Sequence, residues 1–534
     1  MMFLSWLFNR LFSRFLDRFL KLPPALSRKV EVRRNLRTLM PDGVELLADL
    51  YVPSTTKNPP TILVRTPYGR LGLLSRLISR PFAERGYQVL IQAARGTDGS
   101  GGMFDPFIDE RADGLATLDW IEKQPWFHGN LLCFGASYLG YVQWAIAPDA
   151  GTRITAMMPV ITTANFHDTF NPGGVLVLSS SLAWTKRMVT GERSALLADL
   201  GEMLGDKRAK AAMWHLPLKD ADAQATGKRL HWWQPWLAKD AAERYWGGQR
   251  DHRSRIGEVA IPVAMFTGWW DLILRDQLDD YAAMRAAGRN PQLIIGPWLH
   301  ADIAGLAASM RKALEWFPRQ IAGKHAAVQE QPVRLYVQGA GEWRDFADWP
   351  IPGAQARSWY LQPGGKLTPE PASEASAPAR FRYDPNDPTP DDGGAILDPR
   401  TGGRKDQVAR EARADVLVYT SEPLAQPFEA IGPVSAQIIL RSSDEHCDIF
   451  VRVCDVDRQG RRSMSVTAFS GSRRSRSRAT RIVCGRCRSS SGPPPIDSRA
   501  GTAFAYRFPA ARFRALPETR VPVSHSAMPA NCSR

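Results

Sequence analysis

Residues 131–140 read LLCFGASYLG, a short apolar run, a tight turn carrying Ser137, and the start of an apolar helical pattern. Few architectures accept a strand that turns directly into a helix. In a parallel sheet covered by helices, such a turn lifts a serine hydroxyl above the carboxyl end of a strand. Gly135, Ala136 and Gly140 supply the small residues that the crowded turn needs. The spacing departs from Gly-x-Ser-x-Gly, because the second glycine follows the serine by three residues rather than two. Taken alone, the pattern fits a nucleophile elbow and an ordinary glycine-rich strand–helix turn equally well.

The surrounding chain supports an α/β sheet. Residues 1–30 begin with paired apolar residues broken by Arg10, Arg14 and Arg18, which gives an amphipathic helix ending before Pro23-Pro24. Residues 31–164 alternate strand-like and helix-like segments, including TILVR, YQVLIQA and LLCF. Residues 165–258 lose that alternation and become rich in Ala, Lys, Asp and Trp, as expected of a helical cap. Strand patterns resume over 259–328, at IPVAMFTGWWD and PQLIIGPWLH. From 329 to 467 closely spaced strands follow one another: VRLYVQG, ARSWYLQ, ARFRYD, DVLVYTS, VSAQIILRS and DIFVRVCDV. That succession predicts a β-sandwich or jelly roll.

Charge narrows the function classes. The chain carries a formal +15, but from residue 468 onward there are thirteen Arg and no Lys against only Asp497 and Glu518. The basicity belongs to one segment rather than to a binding face, so nucleic acid is not an expected partner. Six Cys in 534 residues form no disulfide framework or zinc spacing, which favours a reducing, cytoplasmic compartment. The N-terminal helix is too interrupted by Arg to span a membrane. It is expected to pack on the body or a second subunit, to lie against a membrane surface, or to be a cleaved targeting sequence.

Asp271 follows the apolar run of IPVAMFTGWWD, and His300 follows LIIGPW. Loops beyond the carboxyl ends of strands are where open α/β sheets hold functional groups. The order Ser137, Asp271, His300 is that of a nucleophile, an orienting carboxylate and a general base. A helix-capping or surface Asp271 and a solvated loop His300 are the plainer alternatives. Asp98, Asp105, Asp109, Glu110 and Asp113 cluster in sequence without metal-ligand spacing, and Gly99, Gly101 and Gly102 lack the ending of a phosphate loop. No metal and no cofactor are expected.

Four motifs together carry a resemblance. Gly135, Ser137, Tyr138 and Gly140 match G-x-S-Y-x-G; Gly268, Trp269 and Asp271 match G-W-x-D; Gly296, Pro297, Trp298 and His300 match G-P-W-x-H; Arg65, Pro67 and Tyr68 match R-x-P-Y. In these segments, and in FRYDPNDPTP and DVLVYTSEPL, the chain resembles the cocaine esterase–like branch of the CocE/NonD hydrolases. These are related to X-Pro dipeptidyl-peptidases, α-amino-acid ester hydrolases and glutaryl-7-ACA acylases. The resemblance spans roughly 35–467. It implies an α/β-hydrolase core with a helical cap and a C-terminal β jelly-roll domain. It further implies a serine hydrolase acting on a small-molecule ester or amide through an acyl-enzyme on Ser137, with Asp271 and His300 as partners. The Tyr68 hydroxyl and the Tyr138 N–H would serve the oxyanion. Trp269, Trp270 and Trp298 read either as acyl-pocket residues or as packing. One departure is Gln92-Ala93-Ala94-Arg95-Gly96, where the family has Gln-Asp-x-Arg-Gly. A larger one begins at 468, where Arg, Ser and Pro abruptly replace the expected strands. That segment reads as a disordered basic extension or, preferably, as translation in a shifted frame.

Overall fold

Five successive strands are buried along their whole length: β3 (Thr61–Thr66), β4 (Gln88–Ala93), β5 (Leu131–Ala136), β6 (Ala156–Val160) and β7 (Ala264–Trp270). Burial on both faces explains why they read as continuous apolar runs. In this computed structural model, which describes residues 17–520 apart from 194–206, 239, 301, 324–330, 373–376, 445, 458–461, 474–479, 485–501 and 509–511, they form the centre of one ten-stranded sheet. The outer strands are β1 (Val30–Leu39), β2 (Glu45–Pro53), β8 (Gln292–Leu299), β9 (Val333–Val337) and β10 (Glu342–Phe346), in the order β1-β2-β4-β3-β5-β6-β7-β8-β9-β10. Strands β4-β3-β5-β6-β7-β8-β9 run parallel, and β1, β2 and β10 add antiparallel margins.

Alternate side chains feed two cores. Ile62, Val64, Leu132 and Phe134 join one face, with helices α1 (Leu73–Ala83) and α6 (Ile303–Ile321). Leu63, Leu90, Leu131 and Cys133 join the other, with α2 (Glu110–Glu122) and α5 (Leu274–Ala286). Helix α3 (Tyr138–Ala150) contributes to both. The chain order reverses at β3, with β4 on one side and β5 on the other. A crevice therefore opens at the carboxyl ends of β3 and β5.

Between β6 and β7 lies the cap, built of short helices around α4 (Leu178–Arg193). Three of its tryptophans are structural: Trp233, Trp236 and Trp246 are almost wholly buried. Residues 1–16 of the expected N-terminal helix lie outside the described residues. Its described end docks on the body, with Leu20 buried, the Leu20 carbonyl accepting from Arg311 at 2.5 Å, and Asp17 pairing with Arg85 at 2.6 Å. No described helix is long and apolar enough to cross a membrane.

The C-terminal part is mostly β. A six-stranded sheet runs β11 (Tyr360–Gln362), β12 (Lys366–Thr368), β13 (Tyr419–Thr420), β20 (Arg512–Arg520), β16 (His446–Val456), β17 (Arg462–Arg473), flanked by the pairs β14 (Phe428–Val434) with β19 (Thr502–Phe508) and β15 (Ala436–Leu440) with β18 (Thr480–Cys484). Ile449 and Val451 of β16 (His446–Val456) pack against Ile438 and Leu440 of β15 (Ala436–Leu440). Two expected sandwich segments fall elsewhere. VRLYVQG is β9 of the large sheet, parallel to β8, so the hydrolase sheet extends past 328 to 346. Its Val333, Leu335 and Val337 are buried while Arg334 is exposed, a pattern that a strand with one covered face shares with a sandwich strand. ARFRYD contains no strand. The expected sandwich end at 467 lies inside β17 (Arg462–Arg473), and β18 (Thr480–Cys484), β19 (Thr502–Phe508) and β20 (Arg512–Arg520) follow. Strand β20 sits between β13 and β16.

Candidate active site

The turn between β5 and α3 is tight and strained. Ser137 has φ 58° and ψ −123°, a backbone geometry that a non-glycine residue keeps only when its surroundings enforce it. The enforcement is visible. The Ser137 N–H donates to the Val160 carbonyl at 2.9 Å, and the Ser137 carbonyl accepts from Gly140 N at 2.8 Å and Thr162 Oγ1 at 2.7 Å. A Cβ on Gly135 would lie 2.4 Å from Leu139 Cβ, and one on Gly140 would lie 2.4 Å from Thr162 Cγ2. The second glycine thus stands three residues after the serine because that is where α3 crosses Thr162.

Asp271 and His300 emerge from β7 and β8, which are neighbours in the sheet. A Cβ on Gly268 would meet the Trp298 carbonyl at 2.2 Å, so the glycine lets the ends of the two strands converge. The Ser137 hydroxyl lies 3.0 Å from His300 Nε2, and His300 Nδ1 lies 3.0 Å from Asp271 Oδ2. The other Asp271 oxygen accepts from the Ile273 N–H at 2.7 Å. Asp271 is buried, which places its carboxyl in a dry setting against the imidazole. The three residues separated by 163 positions are thereby joined in one hydrogen-bonded line.

Tyr68 follows β3 and Tyr138 follows the elbow, on opposite walls of the same crevice; their rings meet edge to face with centroids 6.4 Å apart. Tyr138 opens α3, so its N–H has no acceptor within the helix and is available to an anion. Its side chain is engaged elsewhere. The phenol donates to Glu110 Oε1 at 2.8 Å and accepts from the Phe107 N–H at 2.9 Å. Burial, with Glu110 adding, pushes that phenol well above its ordinary range. Glu110 also pairs with buried Arg65 at 2.8 Å. Tyr68 accepts a hydrogen bond from Trp184 Nε1 at 3.1 Å.

A pocket of about 330 Å³, counted with its open mouth, adjoins Ser137 and His300. Its walls are Tyr68, Phe107, Tyr138, Phe166, Thr169, Phe170, Trp184, Leu272, Ile273 and Leu397. None of these is charged. Trp269, Trp270 and Trp298 are packing residues: Trp269 donates to the Tyr336 carbonyl at 2.7 Å, Trp270 is buried in the sheet core, and Trp298 stacks on Phe266 at 4.7 Å. Sequence reasoning missed Phe107, Phe166, Phe170, Trp184 and Leu397; only the aromatic richness of the cap hinted at them. Leu397 comes from the C-terminal part and no local signal marks it.

Behind the pocket wall, Thr169 donates to Asp276, whose carboxyl is raised to about 7 by burial and by nearby Asp168. The acidic cluster of 98–113 is taken up by ion pairs. Asp98 meets Arg70 at 3.1 Å, Asp105 meets Arg250 at 2.7 Å, and Asp113 meets Arg95 at 2.6 Å. Ala93, at the position where the family has an acid, is fully buried, and the adjoining loop is tied by Arg95 to Asp113 and to Asp42 at 2.6 Å.

A doubly wound sheet that carries a strained serine within hydrogen-bond reach of a histidine defines the class: a serine hydrolase of the α/β type. The comparisons narrow it. Residues 42–302 match the model of the X-Pro dipeptidyl-peptidase (S15 family), and 325–491 match the X-Pro dipeptidyl-peptidase C-terminal non-catalytic domain. Cocaine esterase from Rhodococcus sp. (strain MB1 Bresler) is 31% identical over 477 residues, 80% of this chain and 81% of that protein. The chain belongs to the S15 family of serine hydrolases. Solved structures share its fold. An aminopeptidase from a marine sediment Thaumarchaeota archaeon has a TM-score of 0.73 at 18% identity, and an α-amino acid ester hydrolase 0.69 at 21%, each covering 94% of this chain and 91% of the other. A CocE/NonD family hydrolase from Staphylococcus aureus has a TM-score of 0.63 at 14% identity, covering 92% of this chain and 85% of its own.

Proposed function

We propose that this protein is an esterase that cleaves small carboxylic esters with an uncharged, apolar acyl part, using Ser137 as nucleophile. The observation that carries the choice is the pocket beside Ser137, whose walls are mostly aromatic and aliphatic and, among the described residues, include no carboxylate. A peptidase that depends on a free substrate amine needs a counter-charge near it, since an unpaired buried ammonium is costly. An ester with an apolar acyl group needs only contact area.

Ser137 attacks the carbonyl carbon while His300 Nε2 takes its proton, and Asp271 holds Nδ1–H and supports the imidazolium. The Tyr138 N–H and the Tyr68 hydroxyl donate to the oxyanion. His300 then protonates the departing alkoxide, leaving an acyl-enzyme. Water, giving its proton to His300, attacks that ester and releases the acid and Ser137. Cys133 is a free, buried thiol, which suits a cytoplasmic setting.

The test pairs p-nitrophenyl esters of graded acyl size with X-Pro anilides bearing a free amine. Esters are expected to turn over, and a fluorophosphonate is expected to add its mass to Ser137 but not to the Ser137→Ala variant. Folded protein that ignores every serine-directed probe sinks the proposal; turnover of X-Pro anilides alone reverses the choice of substrate.

A further inference from the structure

We propose that Trp184 and Arg187, one turn apart on the cap helix α4, are positioning residues that aim and polarise the Tyr68 hydroxyl for the oxyanion; this rests on the reading of Tyr68 as an oxyanion donor. A phenolic hydroxyl both donates and accepts, and its hydrogen swings to suit whichever partner it meets. The indole N–H is a donor only. At 3.1 Å from the Tyr68 oxygen, Trp184 Nε1 occupies that oxygen as an acceptor and turns the O–H toward donation.

Both ends of Tyr68 are fixed by different parts of the fold. Its backbone N–H donates to Thr66 Oγ1 at 3.0 Å, within the hydrolase core, while its hydroxyl is met by the cap. Trp184 itself has little freedom. It is buried and stacks on Phe107 at 5.9 Å with 13° between planes and on Trp236 at 5.6 Å with 22°. A donor held this way needs no reorientation when charge develops.

Arg187 adds the charge. Its guanidinium carbon sits 5.0 Å from the centroid of the Tyr68 ring. As the Tyr68 O–H donates to a forming oxyanion, electron density shifts onto the phenol oxygen and ring. A cation over the ring face favours that shift. The spacing of three residues puts Trp184 and Arg187 on one helix face, so a single cap helix delivers both. Trp184 also lines the acyl pocket. Seating the acyl group and aiming the oxyanion donor are therefore linked through one side chain.

The experiment is a double-mutant cycle on the full-length enzyme with a p-nitrophenyl ester, read as kcat and KM separately. A boronic acid, which forms a tetrahedral serine adduct, serves as transition-state mimic. Tyr68→Phe is expected to lower kcat by about 10²-fold. Trp184→Phe keeps the ring and removes the N–H; kcat and boronate affinity are each expected to fall by about five- to tenfold, with KM nearly constant. In the Tyr68→Phe background the same change is expected to cost less than about twofold, because the group it aims is gone. Arg187→Met is expected to lower kcat about threefold and Arg187→Lys to restore most of it.

A Trp184→Phe loss of equal size in both backgrounds, or one carried by KM, makes Trp184 no more than a pocket wall and overturns the proposal. If Trp184→Phe does not fold, Arg187→Met and Arg187→Lys decide through the same cycle with Tyr68→Phe; equal activity of the two overturns it. An unchanged kcat in Tyr68→Phe instead removes the oxyanion reading on which all this rests.

Discussion

The Asp271→Asn change tests the proposed relay most sharply, because the structure dictates how the new amide must sit. One oxygen of Asp271 accepts from the Ile273 N–H at 2.7 Å, and the other faces His300 Nδ1 at 3.0 Å. An asparagine has one carbonyl and one NH₂. Its carbonyl must stay on the Ile273 N–H, since two donors facing each other in a buried site are untenable. The NH₂ then points at Nδ1, which must give up its proton and accept. His300 is left protonated on Nε2, the nitrogen that should take the Ser137 proton. A wrong tautomer of this kind costs about 10⁴-fold in kcat, or about 5 kcal/mol of barrier. Size and most hydrogen bonds are conserved, so the melting temperature is expected to move by no more than a few degrees. Steady-state hydrolysis of a p-nitrophenyl ester and the rate of fluorophosphonate labelling read the effect. An Asn variant within tenfold of the parent, folded and labelled at the parental rate, refutes the relay as drawn.

Tyr138→Phe separates backbone from side chain. The lost phenol strands Glu110 Oε1 and the Phe107 N–H, so stability is expected to fall by about 1–3 kcal/mol in urea unfolding. The N–H proposed for the oxyanion survives, so a kcat loss beyond about tenfold would assign the hydroxyl a catalytic part. Asp276, raised to about 7 in the folded protein by burial and then by Asp168, holds a proton between about pH 4 and 7 that the unfolded chain has lost. Its contribution is fully present below about pH 4 and is lost as pH rises through about 7. Asp276→Asn is therefore expected to exceed the parent in stability at pH 8, by at most about 4 kcal/mol, and to match it near pH 4; a difference that ignores pH rejects the assignment. For residues 468–534, where β17 to β20 pair with earlier strands, a shifted frame is the competing proposal, tested on the coding DNA. Recovery of an alternating strand pattern in another frame near codon 467 supports it, and no such pattern ends it.

The proposed relay was legible in the sequence because each of its residues sits at the end of a strand. Ser137, Asp271 and His300 follow β5, β7 and β8, and the apolar runs announcing those strands are among the clearest in the chain. The glycines carry information too: Gly135, Gly140 and Gly268 stand where another residue's atoms leave no room for a Cβ. Boundaries were less legible. Val333–Val337 alternates like a sandwich strand and pairs instead with β8, since one-sided burial looks alike in both settings. After 467, arginines obscured strands whose pairing the backbone makes plain, with β20 lying along β16 from Asp448↔Arg520 to Val456↔Arg512.

The pocket beside Ser137 was the least legible part, and the reason bears on the proposed function. Its walls come from three places: the elbow and adjoining loops of the core, the cap through Phe166, Phe170 and Trp184, and the C-terminal part through Leu397. The Leu397 N–H reaches Ser180 Oγ on α4 at 3.4 Å, so the helix that supplies Trp184 also meets the strand-rich part of the molecule. No periodicity records contacts between residues more than two hundred positions apart. In the proposed mechanism, reaction and selection are thus carried by different segments. The sheet fixes the serine, the histidine and the carboxylate, while cap and C-terminal residues shape what reaches them. A family built this way can keep one relay and change substrates by altering walls, so the apolar walls here constrain the substrate more closely than the relay does.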